Sequence, residues 1–208
     1  MLHTEIRKYG SVTVHLLYYD GFVMNDHLNK LLPHEWETLS KINHPNKKRE
    51  FVAMRTLRTL IFGNEKILYN EIGAPYIENH GFISISHADC VVGLAFCEDF
   101  RVGLDLEPIR EMVLRVKHKF LSQKEKESFD LNSTEEMIKI WSGKEALYKL
   151  SGRKKIIFAK QLLLTRIDEL RWKGEMVFPD THKEVEMVIE KIDNFVISIN
   201  TQAIYESK

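Results

Sequence analysis

The sequence VGLDLEP at residues 102–108 predicts the element on which the rest of the fold depends, a strand with one apolar and one acidic face. Side chains alternate between the two faces of a strand, so the valine and both leucines would point to one side. Asp105 and Glu107 would then lie together on the other side. The proline that follows cannot donate a ladder hydrogen bond, and the strand is therefore expected to end there.

The two carboxylates of this strand would be neighbours on one face, with Cα atoms roughly 7 Å apart. At that range like charges repel unless a cation or hydrogen-bond donors lie between them. Oxygen ligands suit Mg²⁺, which commonly takes one or two carboxylates together with substrate phosphates. A solvated acidic face is the alternative, and the strand alone favours that simpler interpretation.

The residues before this strand predict a helix followed by strands. In order, the predicted elements are strand Val12–Tyr18, a helical region 25–42 interrupted by Pro33, a helix 46–62 ended by Gly63, and strands 82–86 and 91–96. The long helix has an apolar face made of Phe51, Met54, Leu57 and Ile61. We expect Arg55 on its opposite face, Arg58 beside the apolar stripe, and His87 in the polar connection between the two strands.

The residues after the acidic strand repeat this order. Serine-x-x-glutamate capping patterns predict one helix from near Ser122 and another from near Ser133, the second ending at Ser151 and Gly152. Residues 162–167, 184–192 and 195–199 are strand-like. Each half is thus a helix followed by strands, which favours an α+β architecture over a doubly wound sheet. No glycine-rich phosphate loop of the Rossmann or Walker type is present.

The sequence WSGKEALYK at residues 141–149 is the second chemically suggestive segment. On a helix, Trp141, Glu145 and Lys149 are four residues apart and share a face. A glutamate four residues before a lysine is also the favourable order for an ordinary surface ion pair. Taken alone, this structural interpretation is at least as good as a catalytic one, although the neighbouring tryptophan favours a face that turns inward.

Polar and basic residues of the first half are further candidates. Ser84 and Ser86 share a strand face and precede His87, which at a turn is usually solvated. Basic residues on the long helix or before it can bind phosphates by charge-assisted hydrogen bonds, although a charged helix face is more often simply solvated. These residues are Lys41, Lys47, Lys48, Arg49, Arg55 and Arg58.

Composition excludes several classes of protein. Lysine plus arginine and aspartate plus glutamate number 30 each, so the net charge favours neither nucleic acid nor a membrane surface as a partner. The first ten residues lack the apolar core of a signal peptide, and no apolar run approaches the roughly 20 residues that span a bilayer. Cys90 and Cys97 suggest neither a disulfide framework nor a zinc site, and we expect a cytoplasmic protein.

Four segments in order carry a resemblance to a known family: Gly-x-Pro at 73–75, Ile-Ser-His at 85–87, residues 102–107 and residues 141–149. Together they resemble the 4′-phosphopantetheinyl transferases, and most closely the monomeric, surfactin-synthetase-activating type. The resemblance is good over residues 47–149. It implies two similar helix-plus-sheet halves related by pseudo-twofold symmetry, residues 1–100 and 101–208, with the active site between them.

The resemblance implies roles for individual residues. Asp105, Glu107 and Glu145 look like the carboxylates that hold Mg²⁺ against the diphosphate of coenzyme A. Lys149 resembles the lysine that contacts the phosphates and assists the departing 3′,5′-ADP, and we expect Glu145 to accept the serine proton, directly or through water. Glu125 resembles a further glutamate near the carrier-protein serine, although capping explains it equally well.

Contacts with coenzyme A are implied for the first half. Arg49 looks like the arginine near the adenosine 3′-phosphate, and Ser86 and His87 are similar to a serine–histidine pair that touches the phosphates. The sequence departs from the family pattern at Ala74, where the surfactin-activating type has a lysine, and at Ser84, often an asparagine. Neither departure affects the metal carboxylates.

The implied function is transfer of 4′-phosphopantetheine from coenzyme A to a serine of an apo acyl or peptidyl carrier protein. We expect a monomer, and carriers of fatty-acid, polyketide or peptide synthesis fit equally well. One alternative is another Mg²⁺-dependent nucleotide phosphotransferase. The other is a non-catalytic module that binds coenzyme A or a carrier protein.

Overall fold

The structure is a computed structural model that describes residues 3–206. The first half contains an antiparallel sheet in the order β1 (His3–Tyr9), β2 (Val12–Tyr18), β6 (Val91–Cys97) and β5 (Phe82–Ala88). Its other elements are a 3-10 turn (Met24–Lys30), α1 (Pro33–Lys41), α2 (Pro45–Phe62) and a short hairpin of β3 (Leu68–Tyr69) and β4 (Pro75–Tyr76).

The second half contains a larger antiparallel sheet in the order β7 (Leu104–Pro108), β11 (Phe195–Asn200), β10 (His182–Ile192), β9 (Arg171–Val177) and β8 (Leu162–Arg166), with β12 (Tyr205–Glu206) paired to β10. Its helical elements are α3 (Met112–Val116), a 3-10 turn (Lys117–Lys119), α4 (Gln123–Ser128), α5 (Thr134–Ser151) and α6 (Phe158–Gln161).

Three clusters of buried apolar residues arrange these elements in layers. One cluster lies between α2 and the first sheet, and another lies between α5 and the second sheet. The third joins the two sheets, because Val14 and Leu16 of β2 pack in the same cluster as Leu104 of β7 and Ile197 of β11. The acidic strand therefore has its leucine face in a core shared by both halves.

Serine hydroxyls connect the edge strands β5 and β7. The Leu104 backbone N–H donates to Ser84 Oγ at 2.9 Å, and the Leu106 N–H donates to Ser86 Oγ at 3.0 Å. These hydroxyls replace the carbonyl groups that a neighbouring strand would provide. The two halves thus meet at a seam, formed by β5 and β7, whose hydrogen bonds depend on side chains.

The α+β architecture is confirmed, and most of the predicted elements are present. Gly63 ends α2 with a positive φ of 63°, and Ser122 and Ser133 cap α4 and α5 through their side chains. Both long helices, α2 and α5, have 18 residues, one in each half. The pseudo-twofold relation and the division at residue 100 stay predictions.

Two placements on the first half were wrong. Arg55 was expected on the face opposite the apolar stripe and Arg58 beside that stripe, but both side chains are buried. Glu35 of α1 pairs with both guanidinium groups, at 2.8 and 2.9 Å. His87 belongs to β5, since the ladder with β6 continues through Ala88. Within residues 3–206, no helix combines the length and the apolar character needed to cross a membrane.

Candidate functional site

The acidic face of β7 lies directly beneath α5. Gly103 makes this approach possible, because a Cβ atom there would lie 2.4 Å from the backbone oxygen of Ala146 and 2.5 Å from Leu150 Cγ. The close packing brings the last turns of α5 onto the strand, so that Lys149 Nζ lies 3.0 Å from Asp105 Oδ1. The structure therefore brings the second predicted segment to the first.

Asp105 is held by one carboxylate oxygen and open at the other. Its Oδ1 accepts hydrogen bonds from Ser86 Oγ at 3.2 Å and from Lys149 Nζ at 3.0 Å. Its Oδ2 is buried and has no hydrogen-bond partner among the described residues. A buried carboxylate oxygen without a partner is unfavourable, and a cation is one way to satisfy it.

Glu107 and Glu145 have raised pKa values at this site. Burial is the largest cause for each, followed by the charge of Asp105, and it raises both pKa values to about 7. Glu145 raises the pKa of Glu107 further, whereas a hydrogen bond from the Trp141 side chain lowers it. Lys149 lowers the pKa of Glu145. The three predicted carboxylates are therefore close enough to repel one another, which is the situation a divalent cation relieves.

The three carboxylates nevertheless do not have ligand atoms that all lie within 4.8 Å of one another. Across residues 3–206, the group whose potential ligand atoms all lie within 4.8 Å of each other is Glu175, His182 and Glu184, on β9 and β10. Lys173 Nζ already lies 3.2 Å from Glu175 and 3.3 Å from Glu184, so an ammonium group offsets part of the negative charge of this second cluster. Sequence reasoning did not indicate this cluster, because its members come from two paired strands.

Ser86 and Lys149 use their hydrogen-bonding capacity inside the protein. The Ser86 hydroxyl donates to Asp105 and accepts from the Leu106 N–H and from Lys149, at 3.1 Å for the lysine. Lys149 Nζ also donates to the Leu104 carbonyl at 2.6 Å. A hydroxyl has one donor and two acceptor sites and an ammonium has three donors, so both groups are fully engaged. In this structure they fix Asp105 across the seam.

His87 opens into a cavity of about 760 Å³ between α2 and β5, which we call the α2 cavity. Its Nε2 lies 3.0 Å from Lys47 Nζ and 3.2 Å from Glu50 Oε2. Burial is the main cause that lowers the pKa of His87; Lys47 and Lys149 act in the same direction, while Glu50 and Asp105 raise the pKa. Ser86 lines the same cavity.

Arg49 is not brought to His87. Its guanidinium donates to the carbonyl oxygens of Tyr19 and Asp20, at 2.9 and 3.2 Å, and it is absent from the lining of the α2 cavity. Lys47 and Arg55 line the cavity instead. A local helical pattern places all three on α2 but does not show which of them faces β5.

A second cavity, of about 570 Å³, lies between the β3–β4 hairpin, β5 and the end of α5. Ala74 and Pro75 of the hairpin and Lys149 of α5 line it. Two further cationic side chains, Arg101 and Arg153, line the same space. The sequence prediction did not single out either arginine, because they lie outside the quoted motifs.

Glu125 has a structural role. Its Oε2 accepts from the Ser122 N–H and from Lys144 Nζ, each at 2.7 Å, and its Oε1 accepts from the Leu164 N–H at 2.9 Å. Only 2% of the residue is exposed, and Lys144 is entirely buried. The capping interpretation is therefore supported, and the buried ion pair with Lys144 is a contact that sequence reasoning missed.

Comparison with protein families gives a match over the second half of the chain. Residues 101–199 match the model of the 4′-phosphopantetheinyl transferase superfamily. The matched region contains β7 and α5, and hence Asp105, Glu107, Glu145 and Lys149. It excludes the α2 cavity. No curated protein matches the chain.

Proposed function

We propose that this protein, whose residues 101–199 match the model of the 4′-phosphopantetheinyl transferase superfamily, transfers 4′-phosphopantetheine from coenzyme A to a serine of an apo carrier protein. The observation that carries the proposal is Asp105, anchored at one oxygen and open at the other, beside two carboxyl groups with raised pKa values. We further propose that the enzyme is of the monomeric, surfactin-synthetase-activating type, because residues of both halves of one chain meet at the seam.

The donor set fits a magnesium ion. Asp105, Glu107 and Glu145 offer hard oxygen ligands, and the buried Oδ2 of Asp105 has no partner among the described residues. When bound, Mg²⁺ would neutralise charge on the diphosphate oxygens of coenzyme A and act as a Lewis acid. Ser86 and Lys149 would keep Asp105 in place for this ion.

The proposed reaction joins the serine oxygen to the β-phosphorus of coenzyme A and breaks the bond from that phosphorus to the 3′,5′-ADP oxygen, which leaves with the bonding electrons. Glu145 accepts the proton of the serine hydroxyl. Burial raises the pKa of Glu145 to about 7 in the metal-free protein, and a bound cation would lower it, so at neutral pH Glu145 would be in the ionised form that can accept a proton. The positive charge of Lys149, one turn away, favours departure of the anionic product.

The binding partners follow from this reaction. Coenzyme A is the donor, and His87 and Ser86 of the α2 cavity are its proposed contacts in the first half. The acceptor is an apo acyl or peptidyl carrier protein. We place the protein in the cytoplasm, where both would be available.

The test is transfer to a carrier protein. The protein is incubated with coenzyme A, Mg²⁺ and several apo carriers, and intact-mass spectrometry is expected to show one added phosphopantetheine group. Glu145→Gln should lower the transfer rate by roughly 100-fold or more, because the proton acceptor is lost, while coenzyme A binding is retained. Glu135→Gln on the same helix is the control, since Glu135 pairs with Lys139 and Lys191.

Three outcomes contradict parts of the proposal. Transfer at the normal rate by Glu145→Gln would remove Glu145 from the proton transfer. Coenzyme A binding without transfer to any carrier would favour the non-catalytic binding module. Transfer of a phosphoryl group from another nucleotide would favour the alternative phosphotransferase.

A further inference from the structure

Two serines of the second half have buried hydroxyl groups that the protein's own side chains do not satisfy. Ser142 lies on α5 and Ser198 on β11, and both residues are fully buried. Within residues 3–206, neither Oγ atom has a hydrogen-bond partner, and the same is true of Asp105 Oδ2. A buried polar atom without a partner is unfavourable, so each of these three oxygens indicates a partner from outside the chain.

Ser198 shares a sheet face with Asp105. The two residues lie directly opposite each other in the antiparallel pair of β11 and β7. Opposite residues of such a pair point to the same side of the sheet, with Cβ atoms roughly 5 Å apart. That side is covered by α5, because Val196, two residues earlier on β11, packs in the cluster between α5 and the second sheet. The Ser198 hydroxyl therefore lies beneath α5 and beside Asp105.

Ser142 faces the same part of the sheet from above. It precedes Ala146 by four residues and Lys149 by seven, so the three side chains share one face of the helix. Ala146 packs against Gly103 of β7, and Lys149 Nζ lies 3.0 Å from Asp105 Oδ1. This helix face is therefore directed at β7, and it brings the Ser142 hydroxyl to the side of Asp105 that α5 covers.

A water molecule can connect the three oxygens. None of them is a hydrogen-bond partner of another, although they lie on two surfaces that pack together. A polar contact longer than a hydrogen bond is commonly made through water, and a buried water needs a few polar partners. Two hydroxyls and one carboxylate oxygen provide these partners. A carboxylate oxygen has more than one lone pair, so Asp105 Oδ2 can accept from water and still bind a cation.

We infer that Ser142 and Ser198 hold a buried water molecule that donates a hydrogen bond to Asp105 Oδ2 and so positions this carboxylate for a metal ion. The inference rests on the proposed function for the metal site. Ser86 and Lys149 fix Oδ1, and the water fixes Oδ2. Hydrogen bonds to a ligating carboxylate set its orientation, and their loss typically weakens metal binding by roughly 10- to 100-fold. Both serines are positioning residues, since they act through Asp105.

The experiment is a calorimetric titration with Mg²⁺ of Ser142→Ala, Ser198→Ala and the double variant. Each single substitution should weaken Mg²⁺ binding roughly tenfold or more, because the water loses one of its partners. The effects should not add, since both hydroxyls hold the same water. The double variant should therefore bind Mg²⁺ only slightly more weakly than either single variant.

Ser84→Ala is the matched control. Ser84 is also a buried serine, but its hydroxyl accepts the Leu104 N–H. In EDTA its denaturation midpoint should fall because a backbone donor loses its partner, while the Mg²⁺ affinity of the folded protein is kept. Ser142→Ala and Ser198→Ala should show the reverse, with weaker Mg²⁺ binding and a smaller change of midpoint, because no protein donor is left unpaired. A purely structural role would not produce this reversal.

Three results would overturn the inference. One is an unchanged Mg²⁺ affinity in both single variants, which with a higher midpoint would mean that the hydroxyls are simply unpaired. Another is a double variant whose loss is the product of the two single losses. The third comes from a crystal structure of the metal-free protein, in which we expect a water within hydrogen-bond distance of Ser142 Oγ, Ser198 Oγ and Asp105 Oδ2. An ordered map without that water would contradict the inference.

The titration and the crystal structure need no transfer, so the two proposals can fail separately. Weaker Mg²⁺ binding in the serine variants, without transfer by the unmodified protein, supports the water site and contradicts the proposed function. Normal transfer with unchanged Mg²⁺ affinity in both single variants contradicts the inference alone. An unmodified protein that does not bind Mg²⁺ contradicts the metal site and, with it, the positioning role of the serines.

Discussion

The two oxygens of Asp105 have opposite surroundings, and this asymmetry distinguishes the acidic strand from a solvated face. Oδ1 is fixed by a serine of the first half and a lysine of the second, whereas Oδ2 is buried without a partner among the described residues. The sequence placed Asp105 and Glu107 on the same face, because alternation along a strand is local. It did not reveal the anchor at Ser86, which lies on another strand.

Magnesium affinity is expected to fall as the pH decreases through about 7. Burial and mutual repulsion raise the pKa values of Glu107 and Glu145 to about 7 in the metal-free protein, so protons compete with the cation below that pH. Calorimetric titration with Mg²⁺ at pH 6 and pH 8 should show tighter binding at pH 8. Equal affinity at both pH values would separate these carboxyl groups from the metal site.

Stability should depend on pH in the opposite direction without metal. A carboxyl group whose pKa is raised by folding binds its proton more tightly in the folded state, so its contribution is present below pH 4.5 and is lost as the pH rises toward 7. The free energy of unfolding in EDTA should therefore decrease over this range. Added Mg²⁺ should restore more stability at pH 8 than at pH 5, which denaturant titrations would measure.

Ser84 and Ser86 both stabilise the seam, but only Ser86 also contacts Asp105, so their alanine variants can be compared. Both hydroxyls accept a backbone N–H of β7, so Ser84→Ala and Ser86→Ala should each destabilise the protein by about 1–3 kcal/mol through a buried donor left unpaired. Only Ser86 also donates to Asp105. We therefore expect Ser86→Ala alone to lower kcat per folded molecule, and an equal kcat in the two variants would contradict a positioning role for Ser86.

At the scale of elements, the boundaries that depend on local chemistry were predictable. Ser122 and Ser133 begin α4 and α5, and Gly63 and Gly152 end α2 and α5 with positive φ. Each of these capping patterns involves residues within one turn of the helix, so it can be recognised from the local sequence.

Strands β1 and β9 were missed for two physical reasons. β1 is an edge strand whose residues are mostly exposed, so its hydrophobic alternation is weak. β9 does alternate, but one of its inward positions is Gly174, which has no side chain to reveal the pattern. A Cβ atom at Gly174 would lie 2.6 Å from Leu147 Cδ2, so the leucine side chain of α5 that packs there would have to shift.

Buried charges were missed because their partners are distant in sequence. Arg58 lies 23 residues from Glu35, and Lys144 lies 19 residues from Glu125. Arg58 was therefore interpreted from its own helix, where a charged side chain is usually solvated, and Lys144 received no separate interpretation. Sequence reasoning likewise could not show that Arg49 donates to the Tyr19 and Asp20 carbonyl groups while Lys47 lines the α2 cavity, and the contact of Arg49 with coenzyme A stays a prediction.

Gly103 is expected to control the contact between β7 and α5. In Gly103→Ala the added methyl group would overlap the Ala146 backbone, which cannot swing away as a side-chain end can, so we expect a loss of about 1–3 kcal/mol of stability. Separation of α5 from β7 should also weaken Mg²⁺ binding. Gly21→Ala is the control, because a Cβ atom there meets nothing within 4 Å. Denaturant unfolding and Mg²⁺ titration of both variants measure the two effects.

At the scale of the whole molecule, the shared core couples the two halves. Leu16 of β2 is fully buried in the cluster that contains Leu104 of β7, so neither half can unfold without exposing apolar surface of the other. We expect a single cooperative transition, as in a two-state domain. The division at residue 100 would then separate two segments of the sequence that are not stable independently of each other.

Two local probes can test this cooperativity. Cys97 on β6 is buried and reports the first half by its protection from a thiol reagent, and Trp141 on α5 and Trp172 on β9 report the second half by their fluorescence. The exposed Cys90 is replaced by asparagine, which tolerates its φ of 57°, and Trp36 by phenylalanine. The two denaturation midpoints should coincide.

The decisive variant in this background is Leu16→Ala, which removes a side chain of the first half from the shared core. We expect a loss of about 2–5 kcal/mol, because Leu16 is fully buried, and an equal shift of the Cys97 and tryptophan-fluorescence midpoints. A shift confined to Cys97 would mean that the second half is stable alone. In that case the seam and its Asp105 anchor could open without global unfolding, and the metal site would depend on a local docking equilibrium between the halves.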